Sequence, residues 1–142
     1  MGFLKTQADA SRVPFNEGGS LANVETITAD KTLTVEDSGK CFNIGTDALT
    51  ITLPATSKGV VYLFRNVGAD GNNIITISPD SVDAIFGTVQ NAAADSVASG
   101  VVDKDIVNTK ATANKGDYII LEGDGADGWY ITGGVGIWAS EA

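Results

Sequence analysis

The chain has 142 residues, 43% hydrophobic and 19% charged, a length and balance that fit one globular domain with its own core and no disulfide staples. Its net charge is -9, and from Val67 onward eleven acidic side chains stand against three basic ones. Nucleic acid and anionic membrane surfaces are excluded as expected partners, because both need clustered Lys and Arg and the basic residues here are scattered singly.

Met1 to Val24 shows no sustained period of 2 or 3.6 and is expected to be an extended arm, residues 1–24, with Phe3, Leu4, Val13 and Phe15 as apolar points for a larger assembly or a sister subunit. From Glu25 the pattern changes. Thr26-Ile27-Thr28 and Leu33-Thr34-Val35 alternate apolar residues with Thr, Glu36 to Gly39 is a turn cluster, and Cys41 to Ile44 resumes extended structure. Cys41 has no second cysteine to pair with and is read as a small packed hydrophobe, in keeping with a reducing compartment.

Leu49, Ile51 and Leu53 alternate with Thr50 and Thr52 until Pro54 removes a ladder donor, the clearest half-buried strand of the chain. Val60 to Phe64 is continuously apolar and is expected to be covered on both faces, by the core on one and by an arm or neighbour on the other. Ile74 to Ser78 is a strand closed by Pro79, and Ile85-Phe86-Gly87 is a brief apolar return. Thr88 to Lys115, rich in small residues, is expected to be a surface insertion.

Gly116 to Gly133 reads as a β-hairpin, two apolar runs flanking a Gly and Asp loop. Trp129 and Ile131 are expected to face the core, with Tyr130 and Thr132 on the other side. Residues 135–142 form an apolar tail whose Ile137 and Trp138 dock on their own sheet or on a neighbouring subunit. The fold expected is all-β, a single antiparallel β-sandwich or jelly-roll-like domain over 25–134, of meander rather than solenoid type, since no repeat of fixed period is visible. Its core anchors are expected at Leu49, Ile51, Leu53, Phe64, Ile77, Leu121, Trp129 and Ile131.

With no histidine, the usual base for a serine or cysteine nucleophile is missing, and one cysteine cannot build a zinc site. No phosphate loop occurs. No enzymatic activity, catalytic residue, metal or cofactor is expected. Glu122, Asp124 and Asp127 share one glycine-rich loop, which is read as a structural turn, with a calcium site as the competing reading.

The segments Leu33-Thr34-Val35-Glu36-Asp37-Ser38-Gly39-Lys40, Thr50-Ile51-Thr52-Leu53-Pro54, Ile75-Thr76-Ile77, Gly123-Asp124-Gly125 and Gly128-Trp129-Tyr130-Ile131 together resemble a small β-domain of tailed-bacteriophage virion proteins. That domain occurs in head decoration (cement) and head-fibre proteins and in tail-fibre segments. The resemblance covers about Thr26 to Gly133 and implies a commonly trimeric domain bound to the outer surface of a virion. It implies the major capsid protein and sister subunits as partners, with synthesis in the host cytoplasm. Phe3, Leu4, Val13, Phe15, Ile137 and Trp138 are then the expected capsid or subunit contacts. The alternative is a fibre module that binds host glycans or a receptor through aromatics such as Tyr62, Tyr130 or Trp138.

Overall fold

In the computed structural model, which describes residues 23–92 and 94–141, the chain crosses back and forth between two mixed β-sheets. Strand β1 (Val24–Ile27) lies in the first sheet, β2 (Lys31–Thr32) in the second, β3 (Cys41–Ile44) in the first and β4 (Leu49–Thr52) in the second. Strands β5 (Val61–Asn66) and β6 (Ile75–Ser78) continue the alternation. Because every connection changes sheet, each strand returns to its own sheet travelling the same way as before. Thus β1, β3 and β5 are parallel neighbours, as are β2, β4 and β6.

This corrects the antiparallel, meander-type expectation: the first half of the sandwich is a parallel coil. Period-2 alternation reports which face a residue takes and says nothing about the direction of the neighbouring strand. The register partners Val24, Cys41 and Leu63 are unequally spaced in sequence, so the coil leaves no fixed repeat to detect.

The second half closes both sheets. Strand β7 (Ala84–Phe86) occupies the far edge of the first sheet, and β8 (Thr88–Val89) pairs with β9 (Ser96–Val97) in a two-stranded sheet. Strand β10 (Ile106–Asn108) enters the second sheet between β6 and β13 (Trp138–Ser140). Strands β11 (Tyr118–Gly123) and β12 (Gly128–Val135) form the expected antiparallel hairpin, with β11 also antiparallel to β5 and β12 parallel to β7. The six-stranded order is β1-β3-β5-β11-β12-β7 and the five-stranded order is β13-β10-β6-β4-β2. Thr88 to Lys115 is therefore more than a surface insertion, since it supplies an interior strand whose Ile106 and Asn108 are buried.

The core lies between the two sheets. Phe42, Phe64 and Ile119 form one in-register row of the first sheet, and Ile51, Ile77 and Ile106 one row of the second. Each such cross-strand pair contributes roughly 0.2–1 kcal/mol relative to alanine. Trp129 is fully buried, with its ring centroid 5.4 Å from that of Tyr62. The Tyr62 hydroxyl donates to the carbonyl of Thr34 at 2.6 Å, and burial pushes its pKa up to about 12. Only glycine fits at position 128, where φ is +148° and a Cβ would lie 2.0 Å from the carbonyl oxygen of Ala84.

Candidate functional site

The residues singled out from the sequence do not converge on one place. Phe3, Leu4, Val13 and Phe15 lie outside the described residues. Ile137 is half-buried, and Trp138 is completely buried in β13, with its backbone N–H donating to Ser96 Oγ at 2.9 Å and its indole Nε1 to the carbonyl of Val135 at 3.1 Å. Trp138 is thus a core residue with no surface left for a partner. Leu49, Ile51, Leu53, Phe64, Ile77, Leu121 and Trp129 are buried, and Ile131 is half-buried against the same cluster. Of the aromatics expected to stack on sugars, Tyr62 and Trp138 are buried, and Tyr130 is 44% exposed.

In the hairpin loop, Asp124 Oδ1 accepts from the backbone N–H groups of Ala126, Asp127 and Gly128 at 2.8, 2.9 and 2.9 Å. Glu122 and Asp127 are exposed, and no cluster of three or more potential metal-ligating side chains occurs among the described residues. The bond from Gly128, followed by that from Ala126, holds the Asp124 carboxyl below its usual 3.8. Nearby, Asp83 is buried and accepts the Thr56 backbone N–H at 2.7 Å. Burial, reinforced by the charges of Asp80 and Asp124, pushes the Asp83 carboxyl above 3.8.

These two carboxylates make opposite contributions to stability. Asp124, with its folded pKa lowered, stabilises above the unfolded pKa, and that stabilisation is lost as pH falls through the lowered value. Asp83, with its folded pKa raised, opposes folding when ionised and is relieved as pH falls through the raised value. We expect Asp83→Asn, which retains an acceptor for Thr56, to raise the melting temperature near neutral pH. Asp124→Asn is expected to lower it, and both differences should shrink on titration to about pH 3. Thermal melts of the two variants across that range check the signs.

At one end of the sandwich a buried polar network joins the sheets. Asn66 Nδ2 donates to Asn108 Oδ1 at 2.9 Å, and Asn108 Nδ2 donates to Asp117 Oδ2 and to the carbonyl of Ile137, both at 3.1 Å. Asn66 Oδ1 accepts from Gly68 N–H at 2.9 Å and Asn73 Nδ2 at 3.3 Å, while Asp117 Oδ2 accepts from Asn114 N–H at 2.9 Å. Sequence reasoning missed this cluster because Asn66 leads into the loop that begins at Gly68 and Asn108 falls in the segment read as a surface insertion. The available signal was alternation: Asn66 continues the inward series Tyr62, Phe64, and Asn108 continues that of Ile106.

Two surface features remain. A shallow cavity of about 270 Å³ is lined by Thr88, Gln90, Ile131, Thr132, Gly133 and Gly134, a set with no ionisable side chain to act as acid, base or nucleophile. The outward face of the six-stranded sheet is more distinctive. Val24, Cys41, Leu63 and Ile120 stand in one register row across β1, β3, β5 and β11. Beside that row lie Val61 and the Phe86–Tyr130 pair, whose ring centroids are 5.3 Å apart. Outward faces of solvated sheets are ordinarily polar, whereas in this row Val24 is exposed and Cys41, Leu63 and Ile120 are half-buried. No family model matches the sequence, and neither a curated protein nor a solved structure matches it.

Proposed function

We propose that the chain is a non-enzymatic structural subunit of a virion, a decoration protein that binds the outside of a tailed-phage head and stabilises it. One observation carries the reading: the strand and turn segments from Leu33 to Ile131 resemble the β-domain of phage head decoration and head-fibre proteins. The acidic balance and the apolar outward sheet face fit a module that works by contact. Reinforcement follows from geometry rather than from any single strong bond. A subunit seated over a junction of capsid proteins touches several neighbours at once, and each added contact is made at high effective concentration.

In this proposal Phe3, Leu4, Val13 and Phe15 anchor the subunit to the capsid protein. Removing residues 1–22, which leaves β1 intact, is expected to preserve the cooperative melt and to abolish co-sedimentation with undecorated heads. Decoration by the truncated chain at the full-length level would end the proposal. The alternative, a fibre module that binds host surface glycans, is favoured by one feature, the exposed Tyr130 ring backed by Phe86, which offers a flat stacking surface. Binding to a bacterial surface-glycan array that is lost in Tyr130→Ala would support that reading against decoration.

A further inference from the structure

We infer that the outward face of the six-stranded sheet is a self-complementary surface on which a second copy of this chain packs face to face, about a two-fold axis. The argument starts from β5 and β11, the antiparallel pair at the middle of the sheet. Leu63 and Ile120 are register partners there, and both side chains point outward, since Tyr62, Phe64, Ile119 and Leu121 on either side of them are buried. Two residues further along each strand stand Arg65 and Glu122, also on the outward face. Because the strands run in opposite directions, Arg65 and Glu122 lie at opposite ends of the pair, about 13 Å apart along the strand direction. The face therefore reads as a central apolar row, Val24-Cys41-Leu63-Ile120, with a cation on one side of its middle and an anion on the other.

A copy turned about an axis that lies between the two faces and follows this row sets Leu63 and Ile120 against their own counterparts. The same rotation brings the partner's Glu122 to the end of the strand pair that carries Arg65, and does so twice. A single Arg and a single Glu thus make two ion pairs in an isologous contact. A three-fold arrangement, which the phage resemblance implies, cannot use one face in this self-matching way. The inference is independent of the proposed virion role and departs from it on this point. Six strands spaced 4.8 Å apart and about five residues deep offer roughly 500 Å² per copy, about 1,000 Å² in all. That is the lower end for a specific interface, so association is expected to depend on concentration in the micromolar range.

The test is the solution mass of the full chain by light scattering, up to about 200 µM. A two-chain mass is expected for the wild type, and a one-chain mass for Arg65→Glu and for Glu122→Arg, each of which sets like charges together in both pairs. An equimolar mixture of these two variants is expected to return to the two-chain mass, because opposite charges then meet at both positions. Leu63→Lys, which puts a charge on the axis itself, is an independent check and is expected to be monomeric with an unchanged circular dichroism spectrum. A wild-type monomer at the highest concentration, a three-chain mass, a Leu63→Lys dimer, or a mixture that stays monomeric would each overturn the inference.

Discussion

Trp129→Ala is expected to cost about 3–5 kcal/mol, the range for truncating a large buried aromatic. Set against a typical domain stability of about 5–15 kcal/mol, that loss leaves the variant partly or wholly unfolded at room temperature. The size of the effect follows from position: Trp129 is fully buried, packs with its ring tilted against that of Tyr62, and sits on the strand that joins the hairpin to the edge strand β7. Trp129→Phe is expected to lose much less. Among the described residues the buried indole Nε1 has no hydrogen-bond partner, so the phenyl ring removes an unsatisfied donor that itself costs about 1–3 kcal/mol, which offsets part of the lost packing. Urea unfolding followed by circular dichroism measures both. A Trp129→Phe chain as unstable as Trp129→Ala would mean that ring size alone governs the site.

Asn108→Ala is expected to cost about 3 kcal/mol or more, since it takes a buried hydrogen bond from three partners at once. Asn66 Nδ2 loses its acceptor, and both Asp117 Oδ2 and the carbonyl of Ile137 lose a donor, at a place where Asn66, Asn108 and Asp117 are all buried. Asn108→Asp should be no better, because it puts a second carboxylate against Asp117 and removes the two donated bonds. The network predicts its own coupling: Asn66→Ala combined with Asn108→Ala is expected to cost clearly less than the two single changes together. Strict additivity in urea titrations would show that the two asparagines act separately. The backbone agrees with the close fit, since a Cβ at Gly136, where φ is +103°, would lie 2.3 Å from the Asp117 carboxyl carbon.

The parts of this fold that were legible in sequence are those carried by local chemistry. The Gly and Asp loop between Leu121 and Trp129 announces the hairpin, and Thr50 and Thr52 between Leu49, Ile51 and Leu53 announce a half-buried strand. The unbroken apolar run from Val60 to Phe64 points to a strand with apolar side chains on both faces, and Val61 and Leu63 stand on the outward one. The coil was not legible, because the direction of β3 beside β1 is decided by connections that change sheet, and turn residues do not encode that choice. Ile106 to Asn108 was hidden for a different reason. Three residues amid small and polar neighbours carry too short an alternation to mark an interior strand, and only pairing with β6 and β13 places it there.

The coil also sets the order in which the chain becomes safe during synthesis. Strands β1 to β6 find their parallel neighbours close behind them, so the first half has its partners soon after it leaves the ribosome. Strand β5, however, keeps one bare edge until β11 arrives from much further along the chain, whereas β10 follows β6 after about the same interval as β6 follows β4. A bare edge on a central, apolar strand is a template for another molecule's strand. The hazardous species is therefore the half-made polypeptide rather than the finished one, and slowing translation between Pro79 and Gly116 should raise aggregation while leaving the stability of the completed protein untouched.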